Sequence, residues 1–215
     1  YHLLKHNKGK GVMIGHMDDM DPRVVTVIGA GVAGTQSILK AIDNKALVKV
    51  VDSSQSKLDD LKSKYGTDNV EYILSTKDSI QVSVNESDLV IGSVYVVGKE
   101  APKVVTKDML SSMNPGTVMV DVSIDQGGCF ETSKPTTHDS PTFLENDIVH
   151  YCVTNMPGAV PLTATEALNK VSLSYVENLA NNGIQNALDS DEHLRNGLNI
   201  LDGRIVHPGV KEALE

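Results

Sequence analysis

Val24-Val25-Thr26-Val27-Ile28-Gly29-Ala30-Gly31-Val32-Ala33-Gly34 decides the fold. Its first five residues are all β-branched, which suits a strand. The next six fit G-x-G-x-x-G, and residues 35–42 then carry apolar side chains at helical spacing. Strand, glycine turn and helix in that order open a βαβ unit, and in that setting the glycines read as a phosphate-binding turn. Gly29 permits the tight turn, Gly31 lets a pyrophosphate approach the backbone, and Gly34 lets the helix pack closely on the strand. Ala30, Val32 and Ala33 complete the turn, which presents the helix N-terminus to the phosphates.

Outward from this turn the alternation continues. A second strand over 48–51 ends at Asp52, roughly 20 residues beyond the glycines, where an acid can accept both ribose hydroxyls of NAD and disfavours the 2'-phosphate of NADP. Ser53, Ser54 and Lys57 follow and could soften that preference. Then come a charged amphipathic helix over 56–65, a strand over 70–74 and a short helix over 79–84. A buried strand over 88–92, a short helix over 106–113 and strands over 117–122 and 148–153 complete the series. Near-continuous apolar strands separated by helices predict a parallel sheet covered on both faces, a doubly wound α/β domain.

The rhythm breaks at Asn155-Met156-Pro157-Gly158, and 163–180 reads as one long helix. The expected organisation is a nucleotide domain over 1–158, entered by a linker helix, and a helical segment over 159–215 that is too short and polar to form its own core. The first ten residues read as the end of a helix, and the start on Tyr1 suggests a fragment of a longer chain.

Composition fits this picture. Of the 215 residues 40% are apolar and 22% charged, ordinary for a globular protein. A net charge of -9, with 19 Lys and Arg in no long run, argues against nucleic acid as a partner. No apolar stretch nears the ~20 residues of a membrane span, and the start is not a signal peptide, so a cytoplasmic protein is expected. Cys129 and Cys152 stand in neither metal nor redox spacing and read as buried thiols. His138 and His150 read as structural, and no cluster has the spacing of a metal site.

A second informative stretch is Asp121-Val122-Ser123-Ile124-Asp125-Gln126-Gly127-Gly128, just past a buried strand, where ligands sit in open α/β sheets. Asp125 could hold a substrate amine or move a proton, or simply cap a turn. The two glycines after it leave room for a ligand to approach. Asn155 and Met156 follow the last strand and are expected to reach the same crevice, one offering hydrogen bonds and the other an apolar wall.

The string 121–137, DVSIDQGGCFETSKPTT, followed by Pro141-Thr142-Phe143 and Asn155-Met156-Pro157-Gly158-Ala159-Val160-Pro161, resembles the hallmark of the alanine dehydrogenase family. Ala101-Pro102-Lys103-Val104-Val105-Thr106, Gly9-Lys10-Gly11-Val12-Met13-Ile14-Gly15 and Gly197-Leu198-Asn199 agree with it. The resemblance implies a Rossmann fold and a reversible NAD-linked deamination of L-alanine to pyruvate and ammonia by a cytoplasmic homohexamer. Carried over by position, Asp125 is the catalytic carboxylate, and Asn155 and Met156 line the nicotinamide pocket. Val94, Tyr95 and Ile124 touch the cofactor, Asp52 and Lys57 meet the adenosine ribose, and Ser75 the adenine region.

The chain departs from the family at His16-Met17-Asp18-Asp19-Met20, where a Gly-Val-Pro-Gly type of loop is usual. The substrate domain's N-terminal part, which would supply the carboxylate-gripping Arg and Lys and a catalytic His, is not in the sequence, so the chain alone is expected to bind NAD without efficient turnover. Two rivals stand beside this reading. One is the NAD-binding component of a proton-translocating transhydrogenase, whose pattern lacks the acid at Asp125; the other is a non-catalytic NAD-sensing module.

Overall fold

The structure, a computed structural model, describes residues 1–15, 20–97 and 100–214, the side chain of Ala213 apart. The departing loop at 16–19 lies outside the described residues. Contacts divide the chain into one unit of Tyr1–Val96 with Glu100–Thr154, and a second of Asn155–Glu215 with residues 97–99.

The first unit is built on a seven-stranded sheet. Its elements run β1 (Val24–Ile28), α1 (Val32–Asp43), β2 (Leu47–Asp52), α2 (Gln55–Tyr65), β3 (Val70–Leu74), α3 (Lys77–Glu86) and β4 (Leu89–Gly92). After these come α4 (Lys107–Leu110), β5 (Val118–Asp121), β6 (Thr142–Glu145) and β7 (Ile148–Tyr151). The sheet order is β3-β2-β1-β4-β5-β7-β6, parallel except for the β6–β7 pair. The strand order reverses between β1 and β4, the switch point at which open α/β sheets place their ligands.

Both sheet faces are buried, which the unbroken apolar strands require. Val25, Val27, Val48 and Val50 pack under Ile38 and Ala41 of α1 and Leu58 of α2. Ile28, Val51 and Val90 face the other way, onto Ile80 and Val84 of α3 and Met109 of α4. Within β2 the charged Lys49 interrupts the apolar run: its stem is buried, and its ammonium is paired with Glu86 and, at 3.7 Å, Glu71 at the rim. Local signals fix the helix starts. Ser54 caps α2, and at α3 the side chains of Thr76 and Ser79 satisfy each other's backbone amides in a capping box.

The helix expected over 106–113 is cut to the single turn of α4, and two larger features of this unit differ from the sequence expectation. The antiparallel edge strand β6 was not foreseen. It returns through Asn146-Asp147, both in the left-handed region at φ 50° and 59°, the conformation that a two-residue hairpin needs. Asn-Asp is a weaker hairpin signal than Asn-Gly. The first ten residues, expected to end a helix, form only a three-residue 3-10 turn, Lys5–Asn7, closed by Lys8 at φ 65°. Here tertiary contacts override propensity: Leu3 is buried with Val118 and Val149. Lys10 then reaches the carbonyl of Ser87 and pairs with Asp88 at 2.9 Å, while Asp88 also accepts from the Val24 amide.

The second unit is mostly helical. Its elements are α5 (Pro161–Ser190), α6 (Glu192–Asn196), a small hairpin of β8 (Ile200–Leu201) and β9 (Arg204–Ile205), and α7 (Pro208–Leu214). The helix expected over 163–180 is longer at both ends. Pro161, favourable at a helix start, opens it, and Gly183, at φ 73°, ψ 166°, divides α5 into two helical runs joined at a kink. Ala187 and Leu188 are buried beyond the break, whereas Leu168, Val171 and Val176 before it are exposed. The boundary expected at residue 158 falls inside the 3-10 turn Met156–Ala159.

Candidate functional site

The glycine turn joins β1 to α1, and its glycines answer to different demands. Gly29 lies at φ 95°, and a Cβ there would come within 2.6 Å of the Ser93 carbonyl oxygen. At Gly34 a Cβ would meet the Gly29 oxygen at 1.8 Å. These two are required by the protein's own packing. Nothing lies within 4 Å of a Cβ on Gly31, so the space above it is open. Gly31 is also the N-cap of α1 and supplies no capping side chain, leaving the helix N-terminus available to an anion.

Asp52 stands beside this turn at the carboxyl end of β2 and is buried. Its Oδ2 accepts from the Ala30 amide at 2.7 Å and its Oδ1 from the Ser54 amide at 2.8 Å. The side chain thus braces the glycine turn and starts its own turn at once. Each carboxylate oxygen has a second lone pair for a ligand hydroxyl. Lys57 is exposed in the first turn of α2, and the Ser75 amide donates to the Asp52 carbonyl, placing Ser75 at the β2–β3 edge of the site. Ser93, which sequence reasoning missed, donates its hydroxyl to the Gly29 carbonyl at 2.7 Å and ties the end of β4 to the turn.

These groups border a cavity of about 610 Å³ at the switch point, within the usual range for small-molecule sites. Gly29, Gly31, Val32 and Ala33 form its floor, Asp52, Ser53 and Lys57 one end. Ser93, Val94 and Tyr95 after β4, with Val122, Ser123 and Gln126 after β5, form the other. Tyr95 and Val32 are strongly exposed apolar surfaces at its mouth. Thus the structure brings Gly29, Gly31, Val32, Ala33, Asp52, Lys57, Val94 and Tyr95 to one cavity. Ala30 and Gly34 are buried behind it. Ser93, Ser123 and Gln126 join the set without having been singled out as site residues; hydroxyls and an amide at strand ends were the available signal.

Asp125 sits exposed in the 3-10 turn Ile124–Gln126, between buried Ile124 and cavity-lining Gln126. The following glycines were expected to leave room for a ligand, but the protein itself fills that room. A Cβ on Gly127 would meet Glu100 at 2.9 Å, and one on Gly128 would meet Asp121 Oδ2 at 2.8 Å. Asn155 and Met156 belong to the second unit, where Asn155, at φ 50°, precedes the 3-10 turn Met156–Ala159.

Electrostatics separates structural from chemical groups. Burial, and then the charge of Asp121, push the Cys129 thiol far up; burial pushes that of Cys152 up to about 11. Neither is a thiolate near neutral pH. His150 is fully buried between Thr132 and the Ile148 carbonyl, and burial holds it below its ordinary value. Among the described residues no group of three or more His, Cys, Asp or Glu is placed to hold a metal ion, and no helix is long and apolar enough to cross a membrane. The second unit has its own cavity of about 660 Å³, walled by Leu179, Ile184, Leu188 and Leu198. Its lining is largely apolar, with Tyr175 and His193 the polar side chains, and it has no glycine turn at a helix start, so chemistry rather than size singles out the first.

Comparison with known proteins agrees with this geometry. Residues 1–208 match the family model described as alanine dehydrogenase/PNT, C-terminal domain. Alanine dehydrogenase of Halomonas elongata is 47% identical over 211 residues, covering 98% of this chain and 57% of the relative. Alanine dehydrogenase 2 of Staphylococcus aureus strain USA300 is 44% identical over 214 residues, with 99% and 57% coverage. The chain therefore spans little more than half the length of these curated relatives. A solved L-alanine dehydrogenase superposes with TM-score 0.87 at 42% identity, over 99% of this chain and 58% of that one. A transhydrogenase from Sinorhizobium meliloti, at TM-score 0.73, 22% identity and 90% and 56% coverage, shares the fold. With its glycine turn, its switch-point cavity and a match across nearly all its residues, the chain belongs to the alanine dehydrogenase/PNT family, within that family's C-terminal domain.

Proposed function

We propose that this chain is the dinucleotide-binding part of an enzyme that oxidatively deaminates L-alanine to pyruvate and ammonia, reversibly, with NAD. The observation that carries the nucleotide reading is the pairing of open space over Gly31 with the buried Asp52 carboxylate beside the same turn. NAD fits these residues. The uncapped N-terminus of α1 suits a pyrophosphate, and the spare lone pairs of Asp52 suit a ribose diol. Asp52 also repels a 2'-phosphate, which argues for NAD over NADP. When bound, NAD supplies the hydride acceptor.

The chain's own residues do the rest. Asp52 and Lys57 hold the adenosine ribose and Ser75 borders the adenine. Val94, Tyr95 and Ile124 flank the far half of the cofactor, and the family resemblance alone assigns Asn155 and Met156 to the nicotinamide. Asp125 holds or moves a proton at its carboxylate beside the substrate amine, and that acid favours the dehydrogenase over the transhydrogenase reading. The native enzyme acts on L-alanine and pyruvate in the cytoplasm as a homohexamer, with the nucleotide domain over 1–158 and the C-terminal helical segment of the substrate domain over 159–215.

Calorimetric titration with NAD and NADP tests this. The expected result is NAD binding, weaker NADP binding, and a loss of about tenfold or more in NAD affinity in Asp52→Asn, the scale of a hydrogen bond to a charged group. If the unmodified chain binds neither cofactor, the reading fails.

A further inference from the structure

The cavity end remote from Asp52 is organised by a carboxylate that does not line it. Asp121 ends β5 with no exposed surface, buried more completely than Asp52. Its Oδ1 accepts from the Ser123 amide at 3.0 Å; its Oδ2 accepts from the Cys129 amide at 2.8 Å, the Phe130 amide at 3.3 Å and the Ser133 hydroxyl at 2.5 Å. The Cys129 thiol, kept protonated by burial and by this same charge, adds a weak donor at 3.5 Å from Oδ1. A buried charge tolerates this position only because so many donors converge on it.

These donors come from both ends of one loop. Ser123 opens it, Cys129 to Ser133 close it, and between them lies the 3-10 turn Ile124–Gln126. Ser123 and Gln126 line the cavity. Ser123 also passes the constraint on, since its hydroxyl donates to the Val94 carbonyl at 2.8 Å on the facing wall. Gly128, at φ 74°, leaves space that Asp121 Oδ2 occupies. From outside, the Lys103 ammonium holds the carbonyls of Gly127 and Gly128.

We propose that Asp121 is the positioning residue for the nicotinamide end of the cofactor, fixing Ser123 directly and, through Ser123, the backbones of Gln126, whose amide donates to the Ser123 carbonyl at 2.9 Å, and of Val94. This rests on the dinucleotide reading above, which places the adenosine ribose at Asp52 and so the nicotinamide at the opposite end.

Asp121→Asn, in the full chain, tests it with two probes: NAD, and ADP-ribose, which lacks the nicotinamide. An asparagine presents one acceptor and one donor group. The least costly orientation keeps its oxygen toward the three donors at Cys129, Phe130 and Ser133 and turns its NH₂ against the Ser123 amide. Ser123 is then released while the far end of the loop stays held. The expected result is a loss of about ten- to a hundredfold in NAD affinity, with ADP-ribose binding within about twofold of the unmodified chain.

Should Asp121→Asn not fold, Ser133→Ala, which removes one donor on the side away from the cavity, carries the same test with a smaller selective loss of about two- to fivefold. Equal losses for both probes would mark a merely structural residue, and unchanged NAD binding would mark an irrelevant one; either overturns the proposal. Failure of the unmodified chain to bind either probe removes the dinucleotide reading and this inference with it.

Discussion

At the residue scale the site is a set of side chains with two duties. Asp52 braces the glycine turn and faces the cavity; Ser93 locks the same turn from across the switch point. The sequence makes Gly29, Gly34 and Asp52 legible because the strand, turn, helix and strand that mark them are contiguous in one βαβ unit, although the Ser93 carbonyl that crowds Gly29 comes from outside it. Ser93 and Asp121 stayed hidden as site residues because their partners are set by strand pairing and by a loop that doubles back, which no local pattern encodes. Gly127 and Gly128 show the opposite error, since a glycine signals close approach without saying of what.

His150 gives a prediction at this scale. Its pKa lies below the unfolded value of 6.5 because burial disfavours the charged ring, with the hydrogen bond to the Ile148 carbonyl, then Glu145 and Asp121, opposing that shift and Lys134 adding to it. A depressed folded-state value means that the unfolded chain binds the extra proton first. The stability contributed by neutral His150 is therefore complete above pH 6.5 and declines as pH falls below it. Thermal unfolding midpoints between pH 7 and about pH 5 should fall more steeply for the native chain than for His150→Gln, and parallel curves would refute the assignment.

Among the elements, those with strong local signals came out close to where expected: β1 with its β-branched run and α2 with its charged amphipathic pattern, whereas α3 starts two residues before the expected 79–84, at the Thr76 cap, and ends two residues after it. The β6–β7 hairpin did not, because its Asn-Asp turn reads as loop. In α5 the break at Gly183 has a conformation essentially reserved for glycine, costing about 1–3 kcal/mol for other residues. Gly183→Ala should therefore favour an unbroken helix, drawing Ile184 and Leu188 away from the other walls of their cavity. Increased binding of a hydrophobic dye and a lower thermal midpoint are the expected signs. An unchanged dye signal with an unchanged midpoint would show that the glycine does not enforce the break.

For the whole molecule, the doubly wound architecture was legible from the alternation of elements, and the family match bears on all but the last few residues. What the pattern could not convey is how the halves of the sheet are joined. The β1–β4 pairing aligns Val25 with Leu89 and Ile28 with Gly92, across the intervening α1, β2, α2, β3 and α3. Loop closure over that span is slower than forming the neighbouring βαβ units. In refolding followed by far-UV dichroism and by fluorescence of a bound NAD analogue, most of the secondary structure should return before cofactor binding. Simultaneous recovery of both signals would argue against that order.

The switch point is thus also a seam in time. The cavity exists only when the β1–β4 pairing closes, so occupancy by a ligand reports that closure. A nucleotide seated across β1 and β4 would act as a clasp on the two half-sheets, slowing their separation far more than it speeds their meeting.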